Sequence, residues 1–192
     1  ISNEEKDQLL YDFNNSQTDF PESKTIHELF AEQVQKTPDH IAVVGPMQIK
    51  YRTYMTYTTY ISYRELNEKS NRLAHWLRGK GVQPDTIVGI MVERSVEMII
   101  GILGILKASG AYLPIDPEYP EERINYILAD SDVKVLLAAS EARVEAEVKV
   151  KEESIELIDI SKHLSSSTLT LTLTCEVRSA NLAYVIYTSG ST

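Results

Sequence analysis

The chain has 192 residues, 43% hydrophobic and 24% charged, with 8 Gly and 7 Pro, so it carries enough apolar material for a core and excludes a disordered or collagen-like class. Its 28 acidic against 19 basic side chains leave a net charge of −9, which excludes the basic footprint of a nucleic-acid or anionic-membrane binder. The single cysteine, Cys175, excludes an internal disulfide and points to a reducing, cytoplasmic home.

The opening ISNEEKDQLL has neither a basic region nor an apolar run, so no signal peptide is expected, and the missing initiator Met suggests a piece of a longer chain. Residues 3–13 read as a short helix with Leu9, Leu10 and Phe13 on one side, followed by a polar linker over 14–24. Thr25 and Glu28 then spell a capping box, and Ile26, Leu29, Phe30 and Val34 give the next helix an inward stripe that Pro38 ends. Residues 40–44 form a strand. The spacing of Leu66, Leu73, Ala74 and Leu77 predicts a helix over 65–78, ended by Gly79 and Gly81. A strand over 86–92 leads to Ser95, which caps a helix over 96–108 that is apolar nearly all round and therefore buried. Its apolar run, 98–106, is far shorter than the roughly 20 residues that cross a bilayer.

AYLPI, residues 111–115, is a short strand. Pro120 suits the first turn of a helix whose Glu121 and Glu122 face its positive end, with Ile124, Ile127 and Leu128 inward. Strands follow at 133–139, 155–160 and 182–187, the last as a buried apolar run, while the charged stretch 140–154 is ambiguous. Strands alternating with helices, the strands being solid apolar runs, predict an α/β fold with a mostly parallel sheet flanked by helices.

Two patches break this pattern. Tyr51, Tyr54, Tyr57, Tyr60 and Tyr63 recur every third residue, a period that fits neither a strand nor an α-helix. An unstructured flap and a Tyr-rich recognition surface both remain open there. SSSTLTLTLT, residues 165–174, reads either as a strand with a Leu face or as a solvated loop.

The chain closes on TSGST. Thr188, Ser189, Ser191 and Thr192 offer four hydroxyls around Gly190, which permits positive φ and close backbone approach. Successive amides in such a turn form an anion nest, and ligands bind beyond the carboxyl ends of parallel strands, where this run falls. It is not a Walker loop, lacking the second Gly and the Lys-Ser/Thr pair. GILG, residues 101–104, lies inside an apolar helix and reads as close helix packing, not as a dinucleotide fingerprint. His27, His40, His75 and His163 are scattered without metal-ligand spacing, and His75 reads as a surface residue. Asp116, Glu118, Glu121 and Glu122 read as turn and helix-dipole chemistry.

These residues together resemble the adenylation domains of nonribosomal peptide synthetases. YVIYTSGST resembles the opening of the phosphate-loop signature of adenylate-forming enzymes. LKASGAYLPIDPEYPEERI, residues 106–124, looks like the family's second core motif and ISYREL, residues 61–66, like its first. Residues 1–24 resemble the junction with a preceding condensation domain. Residues 25–192 resemble the N-terminal part of an adenylation domain, cut short, with an atypical Tyr/Thr-rich insertion at about 45–60. The resemblance implies ATP-dependent activation of an amino acid to an aminoacyl-adenylate, with Mg2+, and transfer to the phosphopantetheine thiol of a neighbouring carrier domain. It implies that Thr188, Ser189, Gly190, Ser191 and Thr192 hold the ATP phosphates, that condensation and carrier domains are partners, and that no catalytic residue lies within this chain. An acyl-CoA or aryl acid ligase, and a non-catalytic binding or scaffold module, are the alternative readings.

Overall fold

Among the described residues, one sheet of four parallel strands organises the fold. The computed structural model describes residues 1–16, 19, 21–46, 58–139, 146, 150, 154–163 and 177–188. The Tyr repeat from Tyr51 to Tyr57, the Thr-Leu run, Cys175 and Ser189, Gly190, Ser191 and Thr192 lie outside the described residues, as does most of the charged stretch.

The strands are β3 (Ile87–Met91), β4 (Ala111–Pro114), β5 (Val135–Ala138) and β6 (Glu156–Asp159). Ile87 pairs with Ala111, Gly89 with Leu136 and Val135 with Glu156. Side chains alternate across the sheet. Val88, Ile90, Val135 and Leu137 enter one apolar cluster with two helices, α3 (Tyr63–Gly79) and α4 (Val96–Lys107). Met91, Leu113, Leu136 and Ala138 enter another with α5 (Glu121–Asp130). Helices thus cover both faces, which is why the central strands β3 and β5 are apolar throughout, while β6 carries Glu156 and Asp159.

The α3–α4 contact rests on small residues. A Cβ on Gly104 would lie 2.7 Å from Leu73 Cδ2 of α3, while one on Gly101 would lie 2.6 Å from Ile90 Cδ1 of β3, so GILG is a packing surface, toward α3 at Gly104 and toward the sheet at Gly101. A four-residue helix, α6 (Ile160–His163), follows β6.

Outside this unit, α1 (Asn3–Asp7), capped by a Ser2–Glu5 box, runs into a π-helical turn (Gln8–Asp12), where the sequence predicts one helix to residue 13. Leu9, Leu10 and Phe13 are exposed. The Thr25–Glu28 box does cap α2 (Ile26–Lys36), but its stripe divides: Phe30 packs on the core while Ile26 and Leu29 face solvent. β1 (Ile41–Pro46) pairs antiparallel with β2 (Thr58–Ser62) in a separate two-stranded sheet that the strand prediction at 40–44 only half covers. α3 begins at Tyr63, two residues before its predicted start, because Ser62 and Glu65 form a third capping box. Pro120 is the cap residue before α5, not its first helical residue.

The predicted buried strand at 182–187 is a correction. It lies beside β4 through one parallel bridge, Tyr112 to Tyr184. Ala183, Val185 and Tyr187 are half-buried, whereas Leu182, Tyr184 and Ile186 are 50%, 54% and 56% exposed. Apolar composition alone made both faces look buried; only one has a partner among the described residues.

Candidate functional site

At the carboxyl ends of β3, β4 and residues 182–187 lies a crevice of about 590 Å³. Ile90, Val92, Pro114, Ile115, Ile186 and Tyr187 form its walls, with Glu93, Arg94, Asp116 and Glu118 also in the lining. Such a position is where open parallel sheets take their ligands. Thr188, the first hydroxyl of the terminal run, follows directly on Tyr187, and its residue is exposed.

Contacts at Asp85, Tyr112 and Asp130 bring it there. Asp85 accepts from the Leu182 amide (2.8 Å) and from Asn181 Nδ2 (3.0 Å) at the other end of the sheet. Tyr112 then donates to the Ala183 carbonyl (3.1 Å) and accepts from the Val185 amide (3.0 Å). The Tyr112 and Tyr184 rings lie 5.7 Å apart. Finally the Tyr187 hydroxyl donates to Asp130 on α5. Burial first, and the Asp130 carboxylate second, push the Tyr187 phenol up to about 12, so it keeps its donor proton.

The acidic turn behaves as the sequence suggests. Asp116 accepts from the Glu118 amide at 2.9 Å, and the Arg123 guanidinium lies 4.6 Å from the centre of the Tyr119 ring. Arg94 is the basic side chain of the crevice lining among the described residues. Sequence reasoning passed over it, although a residue just past the carboxyl end of a buried strand is where the positional rule says to look. His75 is exposed, as expected. Among the described residues no group of three or more His, Cys, Asp or Glu side chains comes together to hold a metal ion, and no helix is long and apolar enough to cross a membrane.

Sequence reasoning also missed a buried cation. Lys107 is 5% exposed at the end of α4. Its ammonium donates to Asn67 Oδ1, Ser70 Oγ and Asn71 Oδ1, each at 2.7 Å, and sits 5.0 Å from the centre of the Phe30 ring. Burial lowers its pKa to about 7. It joins α2, α3 and α4 on the side of the sheet away from α5.

The family model for AMP-binding enzymes matches residues 30–192. The chain belongs to the AMP-binding enzyme family. It is 52% identical over 192 residues to bacitracin synthase 3 of Bacillus licheniformis and 45% identical over the same length to gramicidin S synthase 2 of Brevibacillus brevis. It spans 3% and 4% of the lengths of those two relatives. A crystal structure of the nonribosomal peptide synthetase FmoA3 superposes on 96% of the chain with a TM-score of 0.78 and 28% identity, the match covering 18% of that chain. The same synthetase has been solved in an AMPPNP-bound form and an α-methyl-L-serine-AMP-bound form. The N-terminal subdomain of Klebsiella oxytoca NpsA shares the fold, with a TM-score of 0.63 at 23% identity. The α/β architecture with its parallel sheet is that of the N-terminal subdomain of peptide-synthetase adenylation domains.

Proposed function

We propose that the protein carrying this chain joins an amino acid carboxylate to the α-phosphate of ATP, releasing pyrophosphate, and passes the aminoacyl group to the phosphopantetheine thiol of a carrier domain, releasing AMP. The observation that carries the reading is the emergence of Thr188 from the carboxyl end of residues 182–187, next to the crevice, in a chain of this family. Thr188, Ser189, Gly190, Ser191 and Thr192 are the proposed phosphate contacts. Their role is to orient the nucleotide and to meet its negative charge with hydroxyl and amide dipoles, against the acidity of the chain as a whole. Mg2+ is commonly held by substrate phosphates with only one or two carboxylates, so its place in this reading is on the nucleotide. Residues 1–24 are the proposed junction to a condensation domain, and the cytoplasm the proposed compartment.

The test is amino-acid-dependent ATP–pyrophosphate exchange by the full-length protein across the proteinogenic amino acids. Exchange with one or a few of them is expected. Exchange with none, alongside activity on a fatty or aryl acid, replaces the amino acid by that acid. The 192-residue chain expressed by itself is expected to show no exchange, since the reading assigns it phosphate contacts and no catalytic side chain.

A further inference from the structure

The segment that delivers Thr188 is weakly written into the sheet. One bridge and two backbone hydrogen bonds join it to β4. A slip of one residue would turn Ala183, Val185 and Tyr187 outward and reverse every side chain after them. Packing of Val185 and Tyr187 and the Tyr187–Asp130 hydrogen bond resist such a slip at the far end, and at the start of the segment the structure supplies a second anchor. Asp85 receives the Leu182 amide on one carboxylate oxygen and Asn181 Nδ2 on the other. Asn181 in turn accepts from the Arg178 amide at 2.9 Å. Asp85 itself stands at φ 65°, in a left-handed conformation that Asp tolerates better than most residues. A turn holds it there, with the Thr86 amide donating to the Gln83 carbonyl (3.0 Å) and the Gln83 amide to Thr86 Oγ1 (3.2 Å).

We propose that Asp85 is a positioning residue for ATP: its paired grip on Asn181 and Leu182 fixes the register of residues 182–188 along β4 and so the place of Thr188. This rests on the reading of Thr188 as the first phosphate contact. Asp85 stands at the opposite end of the sheet from the crevice and acts only through the backbone it holds.

The pair can be exchanged. Asp85→Ala removes both acceptors. Asn181→Asp sets two carboxylates against each other. The double variant Asp85→Asn with Asn181→Asp restores an amide against a carboxylate while still accepting from the Leu182 and Arg178 amides. The experiment measures kcat and KM for ATP in amino-acid-dependent exchange by the full-length protein, with a melting curve for each variant and Thr188→Ala in parallel. Expected are losses of about tenfold in kcat/KM for ATP in Asp85→Ala and in Asn181→Asp, melting near the wild type's in Asn181→Asp but lowered in Asp85→Ala, where Ala must take up the left-handed φ, and recovery of both readouts in the double variant, since Asn accepts that φ as Asp does. Wild-type ATP kinetics in Asp85→Ala, a double variant no better than Asn181→Asp, or a lowered melting temperature with kinetics intact would each overturn it. Loss in Thr188→Ala beside wild-type kinetics in Asp85→Ala removes the clamp alone. Wild-type kinetics in Thr188→Ala removes the phosphate assignment and this inference with it.

Discussion

Lys107 and Thr188 show how differently single residues weigh in this chain. Thr188 is an exposed residue at a strand end, so Thr188→Ala opens no core cavity. On its proposed phosphate role, losing one hydrogen bond to a charged phosphate should cost about 1.5–3 kcal/mol, a roughly ten- to hundredfold loss in ATP use, with little change in melting temperature. Exchange kinetics beside a melting curve check both halves. Lys107 is the opposite case. Its folded pKa is lowered to about 7, while an unfolded lysine titrates near about 10.4. Between those values the unfolded chain holds a proton that the folded chain has lost, so this group makes stability rise with pH there and contributes no pH dependence below about 7. The three side-chain oxygens and the Phe30 face favour the ammonium and work to narrow that window. Denaturant midpoints at pH 7.5 and pH 9.5 should therefore diverge between the wild type and Lys107→Met, the wild type gaining more on going to the higher pH. A constant difference between the two would mean that Lys107 stays charged throughout.

At the scale of elements, Gly104 and Gly79 make a paired prediction. A methyl on Gly104 meets Leu73 Cδ2, Cγ and Cβ at 2.7, 2.9 and 3.1 Å, so Gly104→Ala forces α3 and α4 apart and should destabilise by about 1–3 kcal/mol. Gly79, at the end of α3, has nothing within 4 Å, and Gly79→Ala should stabilise by about 0.4–1 kcal/mol. Denaturation midpoints of the two variants should move in opposite directions. Elements whose signals are local were legible in the sequence: the Thr25–Glu28 box, the Ser95 cap and the central apolar strands β3 and β5 all form. The Ser62–Glu65 box was equally visible, and overlooking it misplaced the start of α3. What composition cannot say is which apolar face finds a partner. Ile26, Leu29, Leu182 and Ile186 look as buried in sequence as Ile90 or Leu137, yet they are exposed. The Lys107 cage was hidden for a related reason. Its oxygens come from α3, some 40 positions earlier, and no local pattern announces that pairing. Of the candidate site, the strand-end position of Thr188 was readable from topology, whereas the Asp85 grip joins residues 96 and 97 positions apart on either side of β4, a pairing that no local pattern announces.

For the molecule as a whole, Leu182, Tyr184 and Ile186 leave an apolar row on the open edge of the sheet, the kind of surface that draws other chains. Expressed by itself, the 192-residue chain should self-associate. Replacing Leu182 by Lys and Ile186 by Thr should increase its monomer fraction in sedimentation, and an unchanged fraction would place the sticky surface elsewhere. The contact between Asp85 and Leu182 has one more consequence, which concerns time. The two residues are 97 positions apart. At about 5–20 residues per second, the ribosome makes Leu182 roughly 5–20 s after Asp85. A first collapse of β3, α4, β4, α5 and β5 needs microseconds to milliseconds for contacts of modest separation, so it has long finished by then. Residues 182–188 must therefore dock onto a sheet that already exists. On the proposed phosphate role of Thr188, a nascent chain acquires that contact only after the core beneath it has been built.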